Sequence, residues 1–263
     1  MCAATARQGT KRYRVGVVGF AHMHVNNVLA LFAQHPRVDL AAGADTVPDR
    51  PELRKAPYTR AWNREHARER LGLPRIYDSY EEMLERERLD IAIVTCENGR
   101  HAEVVRACAA RGASVCVEKP MAATLGGARA MDRAVRSAGV TMAVNWPIAW
   151  DPAARACREL AAAGAVGHVL EVRTRLGSTG PLGSGVRHEG VAEAAEALSS
   201  EELGAVWWHS RQAGGGAMLD YCCYGAMFAR WVIGEPALSA LGMRANLASP
   251  WGDASSGKSS TST

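Results

Sequence analysis

The sequence predicts an α/β protein, with a doubly wound parallel sheet over residues 13–145 followed by an incomplete α/β domain over residues 146–251. Three observations lead to this prediction. Short apolar strands alternate with helical segments over residues 13–145, and most loops between them are short. The strands are apolar on both faces, which is typical of a parallel sheet covered by helices on both sides. Beyond residue 145 the alternation stops before a second sheet is complete.

The first strand, Tyr13–Val18, leads into the turn Gly19-Phe20-Ala21-His22 and then a helix. A glycine turn between a strand and a helix brings backbone N–H groups and a helix N-terminus against a pyrophosphate. We therefore expect the turn to contact a dinucleotide. The motif is degraded, because Gly19-x-Ala21-x-x-His24 keeps only the first of three glycines, and by itself it does not define such a site.

The second strand, Val38–Ala44, ends at Asp45, 26 residues after Gly19. A carboxylate at this place accepts hydrogen bonds from a ribose diol and repels a 2′-phosphate, which favours NAD over NADP. Because Thr46 and Arg50 follow Asp45 in the sequence, NADP remains an alternative cofactor. The alternative for Asp45 is an ordinary solvated loop aspartate.

The next elements follow in the same alternating order. Residues 47–72 are rich in Arg, Glu and Pro and indicate a surface helix with loops, and Ser79 with Glu82 forms a capping box at the start of another helix. Further helices are predicted over His101–Ala110 and Thr124–Ala138. The remaining strands are predicted over Ile76–Tyr77, Ile91–Thr95, Val115–Val117 and Val140–Val144.

Glu118-Lys119-Pro120 follows the strand Val115–Val117. Pro120 stops the strand ladder, so both charged residues lie at the carboxyl edge of the sheet, where ligands bind in open α/β sheets. The chain has 31 Lys and Arg residues but only four lysines, Lys11, Lys55, Lys119 and Lys258. A lysine kept at this edge indicates a need for a compact ammonium group with an adjustable pKa. A salt-bridged structural lysine is the alternative.

The second part begins with Asp151-Pro152, which predicts a helix that ends at Gly164. Val166–Thr174 alternates like a strand with one solvated face, and residues 176–206 indicate a long, irregular and partly mobile connection. Three glycines at 214–216 open a helix over Ala217–Val232, on which Asp220 and Tyr224 share one face.

The two ends of the chain are polar. We expect residues 1–12 to be a flexible leader and residues 252–263 to be a disordered, low-complexity tail. Only Ala237–Leu247 remains as a second strand candidate for the C-terminal sheet, which would leave that sheet with an uncovered edge. The pattern predicts a truncated product whose second domain is incomplete.

The composition excludes several classes of protein. With 48% hydrophobic and 22% charged residues, the chain is typical of a soluble globular protein. A net charge of +4 without a basic stripe gives no reason to expect nucleic acid binding. No apolar run is long enough for a membrane span, and no signal peptide is recognisable. Seven cysteines without a CxxC pair predict reduced, mostly buried thiols in a cytoplasmic protein.

Taken together, these motifs resemble the Gfo/Idh/MocA oxidoreductases. The resemblance rests on the glycine turn, Asp45, the signature Glu118-Lys119-Pro120, and Gly-Gly-Gly-Ala-Met-Leu-Asp at 214–220, and it extends from about Tyr13 to Trp251. It implies an N-terminal Rossmann domain that binds NAD(P), a C-terminal α/β domain whose open sheet often forms an oligomer interface, and hydride exchange with a sugar-like or cyclitol carbon.

The resemblance also implies roles for single residues. Lys119 corresponds to the family lysine near the substrate hydroxyl and the nicotinamide, Asp220 to a family aspartate, and Tyr224 to a position where many members carry histidine. Further contacts with the cofactor are implied for the loops at the sheet edge, at Thr95, Asn98, His101 and Glu118. Candidate substrate contacts are Asn145, Trp146 and His209, the last of which is otherwise an ordinary loop histidine.

Tyr224 raises a chemical question, because a tyrosine with a pKa of about 10 is a poor base at neutral pH. A nearby Lys119 ammonium could lower that pKa by about three units, which requires about 4 kcal/mol. On this hypothesis Tyr224 takes the hydroxyl proton and Asp220 orients Lys119. Otherwise, Tyr224 only packs near Trp231.

No metal site is predicted. His22, His24 and His101 could be grouped as ligands, but the spacing fixes no acidic partner for them.

Two functions follow from the sequence. The first is an NAD(P)-dependent oxidoreductase acting on a sugar-like or cyclitol secondary alcohol or its ketone. The second is a non-catalytic protein that binds a dinucleotide but has no competent substrate site.

Overall fold

The structure, a computed structural model, describes residues 11–177, 182–188 and 190–243. Within these residues a single sheet is flanked by helices. Its strands are β1 (Tyr13–Val18), β2 (Val38–Ala44), β3 (Ile76–Tyr77), β4 (Ile91–Val94), β5 (Ser114–Glu118) and β6 (Met142–Asn145). The helices are α1 (Val25–Gln34), α2 (Arg60–Glu69), α3 (Tyr80–Arg86), α4 (His101–Ala110), α5 (Leu125–Ala138), α6 (Pro152–Ala162), α7 (Ser200–Ala205) and α8 (Ala217–Ile233).

The sheet confirms the predicted fold class. All neighbouring strands are parallel, and their order is β3-β2-β1-β4-β5-β6. This is the strand order of a Rossmann fold. Successive strands are added on one side of β1 as far as β3 and then on its other side from β4, so the order of addition reverses between β1 and β4. The register aligns the ends of β1, β2, β4 and β5. The residues that directly follow these strands therefore share one edge of the sheet, and they are Gly19, Asp45, Thr95 and Lys119.

The core lies on both faces of the sheet. Val15 and Val17 of β1 pack on one face with Leu29 of α1 and Ala67 of α2. Val18 belongs to the core on the opposite face. All three valines are fully buried. A sheet covered on both faces explains why its strands read as uninterrupted apolar runs.

Local capping defines the ends of several helices. Ser79, Thr124 and Asp151 each accept a hydrogen bond from a backbone N–H in the first turn of α3, α5 and α6. Gly139 ends α5 with a left-handed φ of 68°. These residues confirm the predicted starts of the three helices, because a capping side chain satisfies an N–H group that has no partner inside the helix.

The strand predicted over Val166–Thr174 is wrong. This segment is irregular, with Val166 70% and Leu170 88% exposed. A strand needs a neighbour for its backbone groups, and residues 237–243, from the other predicted strand, are irregular as well. Residues 244–247 of that strand, the tail at 252–263 and residues 1–10 of the leader lie outside the described residues.

The long connection after residue 176 packs on the first part of the chain. Its apolar side chains Leu182, Val191 and Trp207 form a cluster with Ala21 and Met23 from the turn after β1. Helix α7 interrupts the irregular structure predicted for this connection. The connection therefore covers the turn at which a dinucleotide was expected.

The described cysteines are unpaired, as predicted, but the prediction that most are buried is wrong. Cys96 and Cys108 are buried within the sheet layers, whereas Cys157 on α6 and Cys222 on α8 are exposed. Both helices leave one face uncovered, which accounts for the difference. None of the helices in the described ranges combines the length and apolar character needed to cross a bilayer.

Candidate active site

Gly19 fits its place for steric reasons. Its φ is +99°, and a Cβ there would lie 2.2 Å from the backbone nitrogen of Cys96, which follows β4. The hydroxyl of Thr95 donates to the carbonyl oxygen of Gly19 at 2.7 Å, and the N–H of His22 donates to the carbonyl oxygen of Thr95 at 3.0 Å. The turn is therefore held against the loop after β4, and Thr95 serves the turn through this bond.

Two amides of the turn are available for an anion. The N–H groups of Ala21 and Met23 donate no hydrogen bond within the described part of the chain, although both residues are buried. Buried N–H groups without a partner are rare in folded proteins. A pyrophosphate at the N-terminal end of α1 would satisfy them, so the turn fits a dinucleotide even with one glycine. Phe20 contributes only its backbone, because its side chain lies in the core.

Asp45 lies at the end of β2 as predicted, but part of its carboxylate is already bound. Its Oδ1 accepts hydrogen bonds from the N–H groups of Phe20 and Thr46, at 3.1 and 2.9 Å, and from Nη1 of Arg60, at 2.5 Å. Burial raises the pKa of Asp45, while Arg60 opposes that rise. Oδ2 accepts no hydrogen bond from the described residues, so one oxygen remains for a ribose hydroxyl.

Lys119 and Asp220 form a buried ion pair at the edge of the sheet. Nζ of Lys119 contacts Oδ1 of Asp220, and the two residues are 4% and 8% exposed. Burial favours the neutral amine, but Asp220, together with Tyr224 and Glu118, outweighs that effect and raises the pKa of Lys119 above its ordinary value. Lys119 is therefore an ammonium group at neutral pH, and it can act as a hydrogen-bond donor.

The structure contradicts the predicted pKa of Tyr224. The ammonium of Lys119 lies over the tyrosine ring, 5.0 Å from its centroid. Burial raises the pKa of Tyr224 to about 12, and Lys119 offsets only part of that increase. Removal of the phenol from water disfavours the phenolate more than the cation above the ring favours it. Tyr224 is consequently a protonated donor at neutral pH.

His24 and Glu118 form a pair that the sequence analysis did not find. Nδ1 of His24 lies 3.2 Å from Oε1 of Glu118, which also accepts from the amide of Asn145. Burial opposes ionisation of Glu118, but His24 and Lys119 hold its pKa below its ordinary value. Because Nδ1 of His24 faces Glu118, the other ring nitrogen, Nε2, is left for a different partner. The only available signal was His24 at the third glycine position of the motif.

The same residues could be considered as metal ligands. His22, His24 and Glu118 each offer a ligand atom, and these atoms lie within 4.8 Å of one another. The adjacent Lys119 ammonium disfavours a further cation, and both carboxylate oxygens of Glu118 already accept hydrogen bonds. His101, from the sequence-based trio, directs Nδ1 to the carbonyl oxygen of Pro120 at 3.1 Å. His101 thus supports the turn after β5.

The catalytic candidates share a cavity with the glycine turn. It has a volume of about 170 Å³ and is lined by Ala21, His22, His24, Lys119, Asp220 and Tyr224, together with residues of the connection. Trp207 covers the turn, and its indole N–H donates to the carbonyl oxygen of Ala21 at 2.9 Å. Ligand pockets usually measure about 300–1,000 Å³, so the cavity beneath this covering segment is smaller than a typical ligand pocket.

The remaining predicted contacts lie outside this cavity. Asn98 donates to the carbonyl oxygen of Gly214 at 2.9 Å, Trp146 packs edge-on against Trp231, and His209 packs against Trp208. Asn145 reaches the site only through Glu118. Of these contacts, the hydrogen bond from Asn98 to Gly214 joins the second part of the chain to the sheet edge.

The glycine run before α8 has the same joining role. A Cβ at Gly214 would lie 2.8 Å from the backbone nitrogen of Gly99, in the loop after β4, so the two backbones approach too closely for a side chain at this position.

A parallel sheet of this order, with two unpaired amides in the turn after its first strand and a buried lysine at its carboxyl edge, is the arrangement of dinucleotide-binding α/β proteins. Residues 13–146, just over half of the chain, match the Gfo/Idh/MocA family, described as an oxidoreductase family with an NAD-binding Rossmann fold. The chain belongs to this family.

Individual proteins match this chain at low sequence identity and over only part of its length. The chain is 30% identical over 166 residues to D-xylose 1-dehydrogenase (NADP(+)) 2 of Haloferax volcanii, a match that covers 63% of this chain and 45% of that protein. It is 31% identical over 110 residues to trans-1,2-dihydrobenzene-1,2-diol dehydrogenase of Mus musculus, covering 41% and 33%. The matches span less than half of either relative.

Solved structures show the same fold. GenD2 from gentamicin A biosynthesis, in complex with NAD, aligns with a TM-score of 0.60 at 22% identity, over 90% of this chain and 58% of that one.

Proposed function

We propose that the protein is an NAD(P)-dependent oxidoreductase that transfers hydride between nicotinamide and a sugar-like or cyclitol secondary alcohol or its ketone. The observation that carries this proposal is the buried Lys119–Asp220 pair, which opens into the same cavity as the glycine turn. The names of the relatives, which include a D-xylose dehydrogenase, support the class of substrate.

The proposal divides the chain into two parts. Residues 13–145 hold the cofactor, and residues 146–251 complete the substrate site. Homo-oligomers through the second part and a cytoplasmic location belong to the same proposal, the latter supported by unpaired cysteines.

The turn and the end of β2 would hold the cofactor. The free amides of Ala21 and Met23 bind the pyrophosphate, and Oδ2 of Asp45 accepts a ribose hydroxyl. When bound, the nicotinamide supplies the acceptor or donor of hydride. His22, whose pKa burial lowers well below its ordinary value, stays neutral in the wall of the cavity, so it adds no charge there.

The residues around the cavity handle the substrate oxygen and its proton. The Lys119 ammonium donates a hydrogen bond to that oxygen and stabilises negative charge on it, and Asp220 holds the ammonium in place. Nε2 of His24 accepts the hydroxyl proton, while Glu118 fixes the ring through Nδ1. Tyr224, which remains protonated, is a second donor.

The test compares turnover with cofactor binding. In Lys119→Met, turnover of D-xylose or inositols should fall at least about a hundredfold, because an electrostatic donor to the reacting oxygen is lost. NADH binding should change little. Lys55→Met is the matched control, since Lys55 is exposed and, among the described residues, pairs with Glu65 on the surface. Normal turnover in Lys119→Met would refute the mechanism.

A second candidate is a dinucleotide-binding protein without catalysis. Two observations favour it: Val166–Thr174 forms no strand, and the matches to the curated relatives span less than half of those proteins. Saturable NADH binding without turnover of any sugar or cyclitol would support this candidate. Robust turnover by the purified 263-residue chain would exclude it.

A further inference from the structure

We propose that Glu97 sets the choice of cofactor by holding the guanidinium of Arg60, which would otherwise bind a 2′-phosphate beside Asp45. Glu97 would thereby select NAD over NADP. This inference rests on the proposed binding of a dinucleotide and concerns its adenosine end.

Arg60 lies beside the place expected for the adenosine ribose. It is the first residue of α2, and its side chain is 12% exposed. Nη1 lies 2.5 Å from Oδ1 of Asp45 and 3.0 Å from the carbonyl oxygen of Thr46. A guanidinium group binds phosphate oxygens in a bidentate manner, so an Arg60 without other partners would favour NADP here.

Glu97 takes the other side of that guanidinium. Its Oε1 forms an ion pair with Nη2 of Arg60, and its Oε2 accepts a hydrogen bond from the hydroxyl of Thr46 at 2.8 Å. Glu97 is only 3% exposed. Both oxygens are therefore fixed, and both terminal nitrogens of Arg60 bind carboxylates in place of a phosphate.

The local charge also opposes a 2′-phosphate. Asp45 and Glu97 both pair with the Arg60 guanidinium, and the side chain of Glu52 accepts a hydrogen bond from the backbone N–H of the same residue at 2.6 Å. A 2′-phosphate would add further negative charge to this group. Loss of the Glu97 charge favours NADP in two ways. It frees Nη2 of Arg60 for a phosphate oxygen, and it reduces the repulsion between the carboxylates and a 2′-phosphate.

The experiment is a fluorescence titration of the full chain with NADH and NADPH. Wild type should bind NADH more tightly. Glu97→Gln should strengthen NADPH binding about tenfold, as expected for one new charge-assisted contact, and change NADH binding less than about threefold. Glu97→Gln/Arg60→Gln should lose this gain. Glu103→Gln is the matched control. Glu103 is exposed and pairs with Arg100, so this substitution removes the same charge at a different site.

An unchanged ratio of NADPH to NADH affinity in folded Glu97→Gln would overturn the inference. Arg60→Gln provides a second test if Glu97→Gln does not fold. A selective loss of NADPH binding in Arg60→Gln would show that Arg60 is already available to the phosphate, which also overturns it. Failure of wild type to bind either nucleotide would instead refute the proposed function, and the inference with it.

Discussion

Removal of the Asp220 charge should destabilise the protein, because it leaves the Lys119 ammonium buried without its counter-ion. The two side chains are only 5% and 12% exposed. Breaking a buried ion pair from one side typically costs about 3–5 kcal/mol, a large part of the usual 5–15 kcal/mol of total stability. We therefore expect Asp220→Asn to lower the free energy of unfolding by about 3 kcal/mol or more at pH 7.

The pH dependence of this loss has a definite sign. In wild type the pKa of Lys119 lies above its ordinary 10.5, because Asp220, Tyr224 and Glu118 together outweigh burial. In Asp220→Asn burial, the largest single influence on that pKa, is opposed only by Tyr224 and Glu118, and we expect the pKa to fall below 10.5. The unfolded chain of the variant then binds more protons than the folded one between the lowered pKa and 10.5, so its stability rises with pH in that window.

Urea denaturation of both proteins at pH 7 and pH 10 measures this effect. The deficit of Asp220→Asn should be smaller at pH 10, and Lys119→Met/Asp220→Asn should recover much of the loss at pH 7. Glu65→Gln, at the exposed pair with Lys55, should cost less than about 1 kcal/mol. A loss below about 1 kcal/mol in Asp220→Asn, or strictly additive effects in the double variant, would refute the reasoning.

Three other predictions concern the turn, the start of α2 and the covering segment. Gly19→Ala should lower the free energy of unfolding by at least about 3 kcal/mol, because its Cβ meets backbone, while Gly72→Ala, with a left-handed φ but open space, should cost about 1–2 kcal/mol by urea denaturation. Burial raises the pKa of Glu52 to about 7 from an ordinary 4.5, so its stabilising contribution is complete below 4.5 and is lost as pH rises through 7. Between pH 5 and 8, wild type should therefore lose up to about 3 kcal/mol relative to Glu52→Gln in the same assay. Trp207→Ala should speed NADH association several-fold in stopped-flow experiments, whereas Trp150→Ala, at an exposed tryptophan, should not.

Each of these outcomes can fail separately. Equal losses in the two glycine variants would show that the close approach to Cys96 is not limiting. Parallel pH profiles for wild type and Glu52→Gln would contradict a carboxyl group that titrates near pH 7. Slower or unchanged NADH association in Trp207→Ala would show that the connection does not obstruct the turn.

The first sheet could be predicted from the sequence because its signals are local. The strand Val38–Ala44 and the helix His101–Ala110 were predicted with the observed bounds. Apolar runs, caps and turn glycines determine such elements within a few residues of chain. The strand over Val166–Thr174 failed because a strand also requires a partner, and its alternating pattern carries no information about whether one is present.

Some features of the site could likewise be predicted from the sequence, and others could not. Lys119 and Asp220 could be assigned from motifs, and the structure brings them together. The pKa of Tyr224 could not be predicted, because its sign depends on the balance of burial against one cation. The contact of His24 with Glu118 was missed for a related reason, since it depends on how the turn after β1 meets the end of β5.

The ion pair between Arg60 and Glu97 could also not be predicted from the sequence. One residue begins α2 and the other follows β4, and no spacing rule relates them. Only the sheet order, which places β4 beside β1, brings the two segments to the same edge.

Binding of NADH to the purified chain tests the central claim most directly. The account predicts saturable enhancement of nicotinamide fluorescence, a higher melting temperature with NADH, and at least about tenfold weaker binding in Asp45→Ala, which loses the carboxylate that accepts the ribose hydroxyl. Absence of saturable binding to NADH and NADPH, in a protein that melts cooperatively, would contradict the account.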